Sequence, residues 1–405
     1  MPPMGGTEAF SGALIIGVGS NQWQGERQIM GQILGFLFDV VAWTLAGFVI
    51  VGSALAALPV ATGPIRMLDF PRAAMVPLGG IAILCTALAL TPPLSLWVMA
   101  ATALATLSQL VAIWPWLPLA PVQSLPPDDS CDQALDVRVL LANVKMSNRS
   151  YDRLVALVEE TDPDILVALE TDDRWVDGLA PIRDRFEGKL EAPKDTGYGM
   201  AIYCRWPIED IDCHDSITPG APAWSVTVCP PGKPRFRLRA VHPEPPILGR
   251  DTERRDAETY ATARDTMQED LPTIVVGDFN DVPWSPAMRR MQRLTGLCDP
   301  RRGRGLYSSF HARRLLTRWP VDHLFHSPEF RLAEIRRAGR IGSDHLPMLW
   351  DLVLCPSDPA SGEAEDTPTG ADREIARETL KREAGRERRP SGEDWEKAEE
   401  EAASD

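Results

Sequence analysis

Fifty-five consecutive residues, 73–127, carry no charged side chain. A soluble fold rarely hides so long a run, because a water-facing surface needs charge to cover it. Upstream, Asp39 is the only charge between Arg27 and Arg66. A helix needs about 20 apolar residues to span a hydrocarbon core. Residues 31–57, 73–91 and 94–117 each supply one such span. Pro92-Pro93 makes the turn between the second and third, and Trp114, Pro115 and Trp116 stand where an interfacial belt is expected. The first 30 residues lack the basic stretch of a secretion signal. The chain is therefore divided into an N-terminal segment (1–30) and an anchor of three transmembrane helices (31–117). Asp39 is expected to face another helix or a membrane surface.

Charge is spread unevenly over the 405 residues, whose formal net is −15. Residues 1–127 sum to −1 (four acids, three bases) and residues 356–405 to −8 (sixteen acids, eight bases), which leaves −6 for residues 128–355. A duplex-DNA binder needs a basic footprint, and this central part has the opposite sign. The seven cysteines include no Cys-x-x-Cys, so a structural zinc site is not expected, and the odd count gives no disulfide framework. A lone pair such as Cys204 with Cys213 stays open.

Residues 118–135, rich in proline and acid, read as an extended linker. Globular patterning follows over 136–355. Val137–Val144, Asp164–Leu169, Met200–Cys204, Trp224–Val228, Phe236–Val241, Thr273–Val276, Val321–Phe325 and Pro347–Leu354 are expected strands. Tyr151–Glu160, Thr252–Gln268 and Ser285–Leu294 are expected helices, the last with Ser285 as cap and Pro286 at its first position. The pattern implies an α/β sandwich. Residues 356–405 are acid-rich and poor in apolar side chains, so they are expected to be a disordered tail, with a short helix possible around 372–389.

Chemistry concentrates at strand ends. Glu170 follows an apolar strand, and Asp278 ends the run Ile274-Val275-Val276-Gly277. Carboxylates at one edge can hold Mg²⁺, which needs only one or two of them and keeps several waters. Asn280, two residues past Asp278, faces the same way if the segment stays extended, and the pair could hold an attacking water. Asp344 and His345 follow Gly342-Ser343, so a loop can turn both inward. In Val321-Asp322-His323 adjacent residues point apart, and Asp322 is the one expected to face the site and orient His345; His323 and His326 are of opposite parity on the strand, which excludes them as a metal pair. His311 and His326 are read as surface or core residues. His242 ends a strand before Pro243-Glu244-Pro245-Pro246 and could contact phosphate.

Taken together, these residues resemble the endonuclease/exonuclease/phosphatase superfamily, over roughly 136–354. The resemblance implies a DNase I-like four-layered α/β sandwich. It also implies Asn143 and Glu170 as metal residues, His242, Asp278, Asn280, Asp322, Asp344 and His345 as catalytic residues, and Mg²⁺ or Mn²⁺ as cofactor. With three spans in front, the chain is similar to a membrane-anchored bacterial branch that includes teicoplanin-resistance phosphatase-like proteins. That branch implies a multi-pass cell-membrane protein whose catalytic domain faces outward. The positive-inside count (Arg66 and Arg72 against Arg27) would instead put the loop between the first two spans in the cytoplasm. Lys145 departs from the pattern, standing where many nuclease relatives have an acid. It argues for a single cation, with the ammonium acting on substrate if it points inward.

The expected activity is hydrolysis of a phosphate ester or anhydride, and co-localisation with the membrane favours a lipid-linked phosphate or pyrophosphate. A membrane-tethered nuclease is the alternative enzyme, supported by Arg301, Arg302, Arg304, Arg313, Arg314 and Arg318 as a locally basic stretch. A non-catalytic binding protein that keeps the fold is the third reading. No protein partner is legible.

Overall fold

The computed structural model describes residues 16–386 apart from 59, 129–130, 132–133, 216, 247–249, 315–316, 357–358, 361 and 363–366, with side chains from residue 26 onward. The chain forms two compact units. One comprises Met1–Ala54 and Met75–Gln109, the other Leu55–Ala74 and Leu110–Asp405.

The first unit is made by most of helices α1 (Ile16–Ala56), α3 (Arg72–Ala89) and α4 (Leu94–Ile113), whose residues 55–56, 72–74 and 110–113 fall in the second unit. All three are long and apolar enough to cross a membrane. Small residues let them approach closely. A methyl group on Gly79 of α3 would lie 1.9 Å from Thr106 Oγ1 of α4. A polar contact joins α1 to α4, Gln109 Nε2 donating to Ser53 Oγ at 2.7 Å. Large apolar side chains such as Phe36, Trp97 and Leu104 face outward.

The second unit begins with a short helix, α2 (Gly63–Arg66), in the segment between α1 and α3. Its body is two facing sheets. One has six strands in the order β10-β11-β1-β2-β4-β3, the other five in the order β5-β6-β7-β8-β9. The strands are β1 (Leu135–Asn143), β2 (Ile165–Leu169), β3 (Gly188–Ala192), β4 (Met200–Cys204), β5 (Ile208–Asp215), β6 (Pro222–Val228), β7 (Phe236–Val241), β8 (Thr273–Asp278), β9 (Asp322–His326), β10 (Phe330–Arg337) and β11 (Met348–Leu354). The helices are α5 (Tyr151–Thr161), α6 (Asp173–Gly178), α7 (Ala180–Arg183), α8 (Glu253–Thr266), α9 (Pro286–Thr295) and α10 (Gly370–Ala384).

Alternate residues of each central strand serve different layers. Val139, Leu141 and Val167 face Val226, Leu238 and Val276 between the sheets. Leu140, Ala142 and Leu166 pack outward under α5 and Trp175. Val275 and Phe325 pack outward under α8, α9 and Ala376 of α10. Because both faces are covered, these strands read as continuous apolar runs rather than alternating ones. The result is the expected four-layered sandwich. Strands β3, β5 and β10 were missed by the sequence reading, and all three are sheet edges, where polar composition is tolerated.

Four expectations change. The linker is not a free spacer: the Leu332 amide donates to Leu125 O at 2.9 Å, and Ser124 Oγ lies 2.7 Å from Nε2 of the buried His326. Trp116 is not in an exposed belt, being fully buried, with Nε1 donating to Asp299 Oδ2 at 2.8 Å. The tail is not wholly disordered. Helix α10 opens with a capping box formed by Thr369 and Asp372 and docks on α8, where Arg382 binds Glu253 at 2.8 Å, and on α9 through Asp372, which binds Arg293 at 2.7 Å and Arg290 at 3.2 Å. Residues 387–405 lie outside the described residues. Finally, the disulfide joins Cys131 to Cys355, 224 residues apart, while Cys204 and Cys213 stay free.

Candidate active site

The topology carries the sequence-predicted residues to one edge. Strands β1 and β2 are parallel, so Asn143 ends beside Leu169 and its follower Glu170. Strands β7 and β8 are also parallel, bringing His242 and Asp278 to their shared C-terminal edge. Strand β9 runs the other way, and its first residue, Asp322, lies opposite Asp278. Strand β11 is antiparallel to β1, so the loop that feeds it, with Asp344 and His345, arrives at the same edge. Two glycines make the approach possible. A Cβ on Gly277 would lie 1.9 Å from Val241 O across the β7–β8 pair. Gly342 has φ +97° and would strike Asn148 Oδ1 at 2.6 Å. Asn148 pins this loop, donating to Val144 O and Ile341 O.

Asp278 sits at the centre and is buried. Its Oδ1 accepts the Asn280 amide at 2.9 Å, and its Oδ2 accepts Asn143 Nδ2 at 3.1 Å. His345 Nε2 is 3.6 Å from the same Oδ2, and His242 Nε2 is 4.0 Å away. His345 Nδ1 meets Asp322 Oδ2 at 2.8 Å. Lys145 Nζ reaches Asp344 Oδ2 at 3.1 Å, so the ammonium does point inward, but onto a carboxylate. His323 points the other way, between Arg301 and Asp281 O.

Two local expectations are corrected. Asn280 is not in an extended segment: its φ is +50°, its backbone is pinned by Arg255 Nη1 on its carbonyl, and its side-chain amide donates to Pro243 O. Asn143 is not oriented as a metal ligand. Its Oδ1 accepts the Lys145 amide at 3.1 Å, which turns Nδ2 toward Glu170 Oε1 (2.7 Å) and Asp278. Lys145 and Glu170 have φ of +56° and +62°, so with Asn280 three site residues hold a conformation that side chains usually avoid.

Burial pushes Glu170 above the usual carboxylate range, against the pull of His345 and Asn143. Burial and the Asp322 charge raise Asp278 to about 7. Burial opposes charge on His345, but Asp322 and Asp278 overcome it and lift the imidazole to about 10. His242 is lowered to about 4, chiefly by burial and then by His345, and is neutral. Burial also works against the Asp344 charge, yet His345 and Lys145 hold its carboxyl below the usual value.

This donor set fits a hard divalent cation. Among the described residues four carboxylates (Glu170, Asp278, Asp322 and Asp344) face two positive side chains, His345 and Lys145, so one more cation would relieve the buried excess. Ligand atoms of Asp278, Asp322 and His345 lie within 4.8 Å of one another. A protonated imidazole cannot ligate, however, and His345 is better placed as a donor to an anion. Among the described residues Glu170 Oε2 accepts only a 3.4 Å bond, from the Met146 amide, and is the better ligand.

A cavity of about 370 Å³ opens over this cluster, lined by Glu170, His242, Asp278, Asn280, Asp344 and His345. Its remaining walls are mostly apolar: Tyr198, Pro245, Pro246, Phe310, Trp319 and Val321, with Met67, Phe70 and Pro71 from the segment between α1 and α3. The sequence reading named none of these as site residues. Most bear no reactive group, so the only available signal was the charged trio Arg66, Asp69 and Arg72 in an otherwise uncharged stretch. The basic stretch proposed for a nuclease is largely committed elsewhere. Arg301 is buried against Asp299, Arg302 lies over Trp116, and Arg304 binds Ser124 O.

The sequence pattern of the Endonuclease/Exonuclease/phosphatase family matches residues 140–345, just over half of the chain, and the chain belongs to that family. It is thereby a metal-dependent hydrolase acting on phosphate ester bonds. Similar solved structures include D. rerio TDP2 complexed with a single-strand DNA product (16% identity, 54% of this chain and 98% of that one, TM-score 0.46). A family protein from Bacteroides thetaiotaomicron shares 18% identity over 55% of this chain and 99% of that one, with TM-score 0.45. The human Nocturnin catalytic domain with bound sulfate shares 17% over 54% and 93%, with TM-score 0.44. No curated protein sequence matches the chain.

Proposed function

We propose that the protein is a membrane-anchored, Mg²⁺-dependent hydrolase of a phosphate ester or anhydride joined to an apolar chain, with Mn²⁺ able to replace Mg²⁺. The observation that carries this reading is one cavity whose floor is the charged cluster and whose walls are largely hydrocarbon and aromatic. Such walls suit a hydrocarbon beside the phosphate, and the comparison with DNA below tests this against bases stacking on the same rings. The three apolar helices supply the anchor. A buried charge-free surface would not need Phe36, Trp97 and Leu104 on the outside, whereas lipid would cover them. The Cys131–Cys355 disulfide favours an oxidising compartment, and hence an extracytoplasmic domain.

In this reading Glu170 holds the cation and Asn143 orients the Glu170 carboxylate. The bound cation would neutralise charge on the phosphoryl oxygens. Asp278, with a carboxyl raised to about 7, takes a proton from the attacking water, and Asn280 helps position that water. The His345 imidazolium, held by Asp322, and the neutral His242 donate to the oxygens where charge develops. His242, which lines the cavity, has no hydrogen-bond partner for Nδ1 among the described residues, as expected of a group awaiting a water or substrate. Lys145 serves as counter-ion to Asp344.

The test is turnover by the full-length protein in detergent micelles. Hydrolysis of a prenyl diphosphate (read as inorganic phosphate), of a soluble phosphodiester (read as the alcohol released) and of single-stranded DNA (read as shortened strands) would be compared with Mg²⁺, Mn²⁺ and a chelator. Fastest metal-dependent turnover of the prenyl diphosphate is expected. Preference for DNA would replace this reading with the nuclease.

A further inference from the structure

We infer that the segment joining the first two apolar helices is part of the substrate site, and that Met67 and Phe70 grip the hydrocarbon next to the scissile phosphate. The inference rests on the proposed hydrolysis of an apolar phosphate ester and names the residues that select it. Residues 55–74 belong to the catalytic unit although both their neighbours in sequence are apolar helices. Backbone hydrogen bonds fasten them there. The Gly63 amide donates to Arg250 O, and the Thr252 amide donates to Ala61 O, both at 3.0 Å. Trp284 Nε1 donates to Asp69 O at 2.7 Å. The Asp69 carboxylate is buried and binds Arg72 at 2.7 Å and Arg66 at 3.5 Å. These arginines, counted as orientation signals in the sequence, therefore have a structural use.

That fastening presents Phe70 to the cavity. Its ring meets Trp319 edge-on at 5.4 Å, Trp319 stacks with Phe310 at 6.2 Å, and Phe310 lies 4.8 Å from the His345 imidazole. The rings make a continuous apolar path from the inter-helix segment to the catalytic cluster. Hydrocarbon laid along it leaves water while its phosphate stays over Glu170 and His345.

The test compares kcat/KM for a fifteen-carbon and a five-carbon prenyl diphosphate, which share one head group, using full-length protein in detergent micelles. The wild type should prefer the longer chain. Phe70→Ala should lower the long-to-short ratio about tenfold or more. Met67→Ser, at a half-exposed position that tolerates change, should lower it severalfold and decides the matter if Phe70→Ala does not fold. Phe70→Leu should restore most of the preference. Pro64→Ser, on the exposed side of α2, should leave the ratio at the wild-type value. A wild-type ratio near one, or equal losses on both substrates in Met67→Ser, overturns the inference while leaving the hydrolase intact. No metal-dependent turnover of either diphosphate overturns the proposed function, and this inference with it.

Discussion

His345 Nδ1 lies 2.8 Å from Asp322 Oδ2, and the sheet topology brings face to face the start of β9 and the loop that feeds β11, 23 positions apart. The carboxylate fixes the ring and supports its charge, leaving Nε2 to face Asp278 and the cavity. Asp322→Asn keeps the shape but removes the counter-charge. It should lower kcat at least a hundredfold with little change in KM, because the support matters most when charge develops on the substrate. Steady-state kinetics with unchanged circular dichroism would show this, and a kcat within tenfold of wild type would reject it.

Asp278→Asn, Asn280→Ala and His345→Ala should each remove a hundredfold or more of turnover, about 2.7 kcal/mol at the transition state, with the fold retained. All three line the cavity at a strand end or loop rather than filling the core between the sheets. Near-wild-type rates for two of them would defeat the assignment.

Glu170→Gln should abolish Mg²⁺-dependent activity and Mg²⁺ binding together, read by calorimetric titration as the loss of one site per chain. Lys145→Ala should chiefly raise KM, since it frees the Asp344 charge next to the incoming phosphate. Two tightly bound ions in the wild type would contradict the single-cation reading.

Docking of α10 should depend on acid. Hydrogen bonds from Arg293 hold the Asp372 carboxyl far below its ordinary value of 3.8. The unfolded tail binds a proton more readily than the docked helix, so the stabilisation is complete above about pH 4 and fades as the pH falls below it. The protection factor over 370–384, which is exchange corrected for its intrinsic pH dependence, should therefore fall as the pH drops from about 4 to about 2. Asp372→Asn, which loses charge-assisted bonds amounting to about 2 kcal/mol, should show raised exchange already at pH 7.

Cys131→Ser should lower the free energy of unfolding by about 3 kcal/mol, because the disulfide closes a very long loop in the unfolded chain. Chemical denaturation of the full-length protein measures this. Reporter fusions after residue 135 test the sidedness that the disulfide favours: an export-dependent reporter should be active there, and activity of a cytoplasmic reporter instead would reverse the proposed orientation.

Much of this protein is decided locally. Apolar runs bounded by Gly, Pro and Asp set β1, β2, β4, β7 and β8, since a strand covered on both faces must be apolar throughout. The residues that end those strands follow from short motifs, and parallel pairing then delivers Asn143, Glu170, His242 and Asp278 to one edge. The apolar helices follow from length and charge alone. The edge strands β3, β5 and β10, by contrast, are polar enough to look like loops.

What sequence could not supply depends on partners far along the chain. Whether Arg301 reaches solvent or a buried Asp299, whether Asn143 turns its oxygen or its nitrogen toward Glu170, and whether Cys131 meets Cys355 are set by contacts that no local period encodes. The segment between the first two apolar helices is the sharpest instance. Its composition marks it as a short connection, and only the folded catalytic unit, through Arg250, Thr252, Trp284 and Trp319, makes it a wall of the active-site cavity. Local patterning fixes which side chains must be buried, whereas tertiary packing decides what they are buried against.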